Sequence, residues 1–163
     1  MEYTLNKTQT YLAFKVGNEL FAMQIENVIV VLRKQEITSV PKTTDYIAGI
    51  IQFRGEIISI VSAKMKLNVP DGEKSEKPVI IVVEFENNNK RSKMGILGDK
   101  VIGVLNIPEN EIKPVMEFGN YYNPEFLKGA FKYREKLFTI LNVETIFSQE
   151  EISIINEIKN QQI

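Results

Sequence analysis

Residues 46–61 read YIAGIIQFRGEIISIV, and residues 126–141 read FLKGAFKYREKLFTIL. Each is an apolar run broken once, near its middle, by charge: Arg54-Gly55-Glu56 in the first and Arg134-Glu135-Lys136 in the second. Runs of this length, rich in β-branched residues and interrupted by a two-residue polar step, predict hairpins. Gly55 suits the positive φ that a tight hairpin turn requires, whereas Glu135 does not, so the second hairpin is expected to bend differently and present its arginine elsewhere. The two stretches align without a gap at an offset of 80, matching Gly49 with Gly129, Arg54 with Arg134 and Ile60 with Ile140. Upstream, Val28, Val31, Leu32 and Pro41 match Val101, Val104, Leu105 and Pro114 at an offset of 73. The seven-residue difference is placed in Met116–Pro124. One period covering about half the chain is a tandem duplication rather than a solenoid.

Working outward, short apolar runs separated by turn residues recur along the chain. Tyr11–Val16 and Glu19–Ile25 flank Gly17-Asn18, and Val28–Leu32, Ile37–Val40, Met94–Leu97 and Val101–Ile107 follow the same habit. Val79–Phe85 is almost continuously apolar, as in a strand buried on both faces. Lys90-Arg91-Ser92-Lys93 after three asparagines reads as a solvated hairpin tip. Ala63–Leu67 allows a turn of helix, and Ser148-Gln149-Glu150-Glu151 is a capping box ahead of Ile152, Ile154, Ile155 and Ile158, predicting an amphipathic helix packed on the strands. The expected fold is mainly β: two small barrels in tandem sharing an apolar seam, the first over about 12–84, the second over about 85–147, with a helix over about 148–160.

Composition narrows function. The 163 residues carry 20 basic and 21 acidic side chains, a net charge of -1, which gives no general attraction to nucleic acid or anionic lipid. There is no cysteine and no histidine. Thiolate chemistry is excluded, and the commonest general base and metal ligand is missing. Gly95–Lys100 lacks the spacing of a phosphate loop. No apolar run approaches a membrane span, and MEYTLNKTQT lacks the features of a signal peptide, so a cytoplasmic location is expected. No cofactor and no catalytic residue is expected. A carboxylate-based hydrolase would need two acids facing one cleft, and the duplication supplies no such pair.

The segment Ile47–Gly55, IAGIIQFRG, resembles the CheW family of chemotaxis coupling proteins, as do Leu20–Ile25, the stretch ITSVP at Ile37–Pro41, Gly98–Leu105, Phe126–Gly129 and Leu141-Asn142-Val143. The resemblance runs from about Tyr11 to Phe147 and implies two SH3-like, five-stranded β-barrels with an apolar groove between them. It implies a non-catalytic adaptor joining the cytoplasmic tips of chemoreceptors to the regulatory domain of the histidine kinase CheA, at membrane-associated receptor arrays; a CheV-like coupling module without a receiver domain is the alternative. By position, the resemblance assigns Leu12, Ile25, Val28, Val31, Val101 and Val104 to a receptor-binding groove. It assigns Ile37, Val40, Pro41, Lys113 and Phe118 to kinase-binding barrel ends, with Phe118 exposed, and Arg54-Gly55 to a coupling turn. Many members carry Glu where this chain has Val30, and that Glu can pair with the arginine; here Glu26, Glu36 or Glu56 would have to substitute. The family strand usually continues through an Asp, replaced by Ser62 in this chain.

Overall fold

The computed structural model describes residues 7–33, 35–41, 45–73, 77–115 and 122–154. Its strands are β1 (Thr8–Val16), β2 (Glu19–Gln24), β3 (Val28–Arg33), β4 (Ile47–Phe53), β5 (Glu56–Ser62), β6 (Val79–Asn87), β7 (Lys90–Gly98), β8 (Lys100–Pro108), β9 (Leu127–Tyr133) and β10 (Lys136–Leu141). Two short helices, α1 (Ala63–Leu67) and α2 (Val143–Ile146), follow β5 and β10. Both are capped by the same residue of the repeat: Ser62 Oγ accepts from Met65 N–H, and Asn142 Oδ1 from Glu144 N–H. Ser62, which replaces the family Asp, therefore works as a cap.

The strands form two five-stranded sheets, ordered β3-β6-β7-β5-β4 and β8-β1-β2-β10-β9. The orders superpose when β3–β7 are set against β8, β9, β10, β1 and β2 in turn. Barrel I is thus a contiguous segment, while barrel II takes its last two strands from the N-terminal end of the chain. Each contains one parallel pair at the equivalent place, β5 beside β7 and β10 beside β2. The division expected at 84/85 is corrected by this topology, because it would cut β6, which pairs with β7 through its whole length. The chain repeats as a unit, but one copy is closed by a hairpin from the far end of the sequence.

The repeat extends to its irregularities. The β4–β5 ladder shifts register between Ile47 and Gly49, and the β9–β10 ladder between Leu127 and Gly129. The edge strands β3 and β8 bulge around Ile29 and Ile102. Bulges bend a strand and close a small barrel. The predicted strand at Ile37–Val40 is a single bridge, Thr38 with Ile50, mirrored by Lys113 with Ala130. Thr38 and Lys113 are related by an offset of 75, while Ile50 and Ala130 keep the offset of 80, so Ile37 corresponds to Ile112 and the match of Pro41 with Pro114 is displaced. Two of the seven extra residues therefore lie before Ile112, where Glu109–Glu111 form a turn of 3-10 helix.

Alternating side chains feed three cores. Ile51, Ile58, Ile60, Ile80 and Val82 fill barrel I, and Tyr11, Ala13, Ala22, Phe131, Phe138 and Ile140 fill barrel II. The intervening positions, among them Leu12, Phe14, Phe21, Met23, Ile81, Val83, Phe85, Met94 and Ile96, meet between the sheets in the largest cluster. Two-sided burial is why Val79–Phe85 is almost continuously apolar: odd and even positions enter different cores. The capping box forms as expected: Ser148 Oγ accepts from Glu151 N–H (3.1 Å) and Glu151 Oε2 from Ser148 N–H (2.8 Å). Helix follows over 149–154, with Ile154 buried and Ile152 packed on the seam; Ile155 and Ile158 lie outside the described residues.

Candidate docking surfaces

The rim of the seam is built twice. Val28 and Val31 on β3 pair with Val83 and Ile81, and Val101 and Val104 on β8 pair with Phe14 and Leu12. Cross-strand partners share a face of the sheet, so all four valines face the seam whose floor their partners make. Val28, Val31, Val101 and Ile25 are half-buried against that cluster. Val104 is 58% exposed and Ile102, on the bulge, 43%. Leu12, at 4%, is floor rather than rim. The sequence reading missed Ile102, because a bulge turns a residue that strict alternation would bury.

The barrel ends proposed from sequence are one feature in two copies. Thr38 and Ile50 exchange backbone hydrogen bonds of 3.0 and 2.8 Å, and Lys113 and Ala130 exchange two of 2.9 Å. These bonds fasten the segment carrying Ile37, Val40 and Pro41 to β4, and that carrying Lys113 to β9. Ile37 packs on the barrel I core, Val40 is half-buried, and Pro41 and Lys113 are exposed. Gly49 and Gly129 admit this approach: a Cβ on Gly49 would stand 2.3 Å from the Thr38 carbonyl oxygen, and one on Gly129 2.9 Å from that of Lys113. Phe118 lies outside the described residues.

The charged pair in the opening stretch is a two-residue turn. Arg54 and Gly55 both have positive φ, 49° and 80°. The expectation that Glu135 would bend the second hairpin differently is overturned: Arg134 and Glu135 take 51° and 66°. Phe53 pairs with Glu56 and Tyr133 with Lys136, leaving two residues to reverse each chain; loops of that length take primed turns, and here both central residues are left-handed in each. The asparagines of the β6–β7 tip, Asn88 and Asn89, do the same at 51° and 64°. Arg54 lays its guanidinium over the Phe53 ring, 4.7 Å from the centroid, as Arg134 does over Tyr133 at 5.3 Å. An aromatic face is thus the arginine's neighbour. Glu56 holds Lys93 at 2.7 Å, and Val30 packs on the barrel I core.

Sequence reasoning missed a buried ion pair. Lys66 Nζ stands 2.7 Å from Glu151 Oε1, with side-chain exposures of 6% and 1%. The ammonium also lies over the rings of Tyr46 and Phe126, at 4.9 and 5.2 Å. Glu151 was visible as half of a capping box; its partner lies 85 residues away, and no local pattern indicates it. Nearby on the seam, Tyr122 packs against Phe21, and burial followed by the negative charge of Glu19 pushes its phenol up to about 12.

Paired SH3-like barrels with an apolar seam, bulged edge strands and duplicated ends define a protein-binding scaffold. The description "CheW-like domain" matches residues 10–151, and the chain belongs to that family. It is 27% identical over 150 residues to a chemotaxis protein CheW of Klebsiella aerogenes, an alignment covering 92% of this chain and 88% of that one. It is 29% identical over 143 residues to the CheW of Thermotoga maritima, covering 88% and 89%. The crystal structure of the scaffolding protein TtCheW from Thermoanaerobacter tengcongensis superposes with a TM-score of 0.79 at 27% identity, covering 93% of this chain and 95% of that one. The protein is a non-catalytic scaffold of chemotaxis signalling. Among the described residues no helix is long and apolar enough to cross a membrane.

Proposed function

We infer that this scaffold couples the cytoplasmic tips of chemoreceptors to the regulatory domain of the kinase CheA, in the cytoplasm at membrane-associated arrays. The observation that carries the reading is the doubled valine rim. Val28 and Val31 from one barrel and Val101 and Val104 from the other present a two-sided apolar edge over a common floor. A helix docks by laying an apolar stripe into such an edge. Receptor tips are the helical partner, with Ile25 extending the rim and Leu12 supporting it from below. The kinase regulatory domain engages the barrel ends at Ile37, Val40 and Pro41 and at Lys113, with Phe118 assigned to the same contact by family position, and Arg54-Gly55 belongs to the coupling surface.

Calorimetric titration with a receptor cytoplasmic hairpin and, separately, with the kinase regulatory domain tests both halves. Val104→Asp places a charge where the side chain is already exposed, so folding is kept. It should weaken hairpin binding at least about tenfold, the scale of a lost apolar anchor, and leave the kinase domain bound. Pro41→Asp should do the opposite. Unchanged hairpin affinity in folded Val104→Asp and Val31→Lys variants would remove the rim from the reading.

A further inference from the structure

We propose that residues 147–154 form a cross-barrel strap, locked by the Lys66–Glu151 ion pair, that sets the angle between the two barrels. The segment continues directly from β10 and α2, which belong to barrel II, yet its polar and aromatic contacts are with barrel I. Phe147 stacks on Phe85 of β6, with ring centres 5.2 Å apart and planes 14° from parallel. Gln149 exchanges two side-chain hydrogen bonds, 2.8 and 3.4 Å, with Asn87 at the end of β6. Glu151 divides its carboxylate: Oε2 closes the capping box on Ser148, and Oε1 takes the Lys66 ammonium of α1. Cap and clamp are one group, so the helix start and the attachment to barrel I form or fail together.

Lys66 is placed at a junction. The rings beside its ammonium, Tyr46 and Phe126, occupy equivalent positions of the two repeats, one leading into each β-hairpin. By the same offset Lys66 corresponds to Ile146, an apolar seam residue. The repeat therefore supplies the surroundings twice, and the ion pair once, where the strap crosses. Among the described residues the seam is otherwise lined mainly by apolar side chains, whose attraction is non-directional and tolerates rocking of one barrel on the other. A caged, desolvated ion pair is directional, and fixing one arrangement among several is the best-attested use of such pairs. Since β3 lies in barrel I and β8 in barrel II, the angle also sets the spacing of the valine rims; this consequence, unlike the strap itself, rests on the reading of the rim as a helix-docking site.

The absence of native cysteine makes the test direct. Gln52→Cys and Lys136→Cys place spin labels on exposed positions of the two barrels, and pulsed electron paramagnetic resonance reads the distance between them in the full chain. The parent should give one narrow distribution. Glu151→Gln, which keeps an oxygen for the Ser148 cap, should broaden it by at least about twofold as the barrels rock. Lys66→Met/Glu151→Leu removes both charges without stranding either, so it folds even if the single variant does not, and it should broaden the distribution likewise. An unchanged distribution in the folded double variant overturns the strap. Hairpin titration separates the two readings: broadening in the strap variants together with full hairpin affinity in Val104→Asp would refute the rim and leave the strap standing, whereas a narrow distribution with Val104→Asp unable to bind would do the reverse.

Discussion

Replacing Gly49 by alanine should cost the protein far more than the same change at Gly129, although the two glycines are one residue of the repeat. Both have positive φ, 147° and 153°, a region in which an L side chain is strained by about 1–3 kcal/mol. The difference lies in what a methyl group meets. At Gly49 it would stand 2.3 Å from the Thr38 carbonyl oxygen and 2.5 Å from Ile37 Cγ2. Backbone must move to relieve that contact, and with it the 3.0 and 2.8 Å bonds joining Thr38 to Ile50. Overpacking of this kind adds about 1–3 kcal/mol, so Gly49→Ala should total about 4 kcal/mol. At Gly129 the closest approaches are 2.9 Å to the Lys113 carbonyl oxygen, which is also backbone and must shift, and 3.2 Å to Ile112 Cγ2, so the displacement required is smaller than at Gly49. Strain then dominates, and about 2 kcal/mol is expected. Urea unfolding followed by circular dichroism measures both, with equal slopes confirming that the same surface unfolds. Because a domain of this kind has only about 5–15 kcal/mol in total, the first variant should also be visibly less stable to heat. Equal losses, or a loss below about 1 kcal/mol at Gly49, would refute the close-approach reasoning.

Glu135→Gly should raise stability by about 0.5–1 kcal/mol, since the left-handed turn at that position costs a glycine less than a glutamate; a loss in urea unfolding would contradict the turn's conformation. Ser59 is fully buried and among the described residues its hydroxyl has no hydrogen-bond partner, so Ser59→Ala should stabilise by about 1 kcal/mol, and a loss larger than that in the same assay would mean that the hydroxyl is bonded. Tyr122 keeps its proton to about 12 in the folded state, above the usual phenol value of 10.0. Its contribution to stability is therefore complete below the unfolded value and lost as pH rises through the folded one; spectrophotometric titration should show a late tyrosinate step that Tyr122→Phe removes, and an unchanged titration in that variant would refute the assignment.

Local chemistry was written in the sequence. Hairpin turns, the Ser148–Glu151 capping box, the short helix after β5 and the doubled glycine and arginine positions depend on neighbours within a few residues, and each was legible. The barrel boundaries were not. Two-faced burial makes Tyr11–Val16 and Val79–Phe85 apolar without saying which core each face enters, and β1 finds β8 across some ninety residues of intervening chain. Glu135 was misread because residue preference was weighed without the ladder that overrules it: once Tyr133 pairs with Lys136, the two residues between form a primed turn, and both take positive φ. The valines of the rim could be chosen by family position, but their common face is a product of register, which a single bulge can reverse, as it does at Ile102. Lys66 and Glu151 are the furthest case. The sequence by itself determined a duplicated set of hairpins and one helix start. Only the tertiary structure decided that the N-terminal hairpin completes the second barrel and that a lysine of one repeat meets the helix cap beyond the other, because pairing between distant segments depends on burial and geometry that no short window of residues contains.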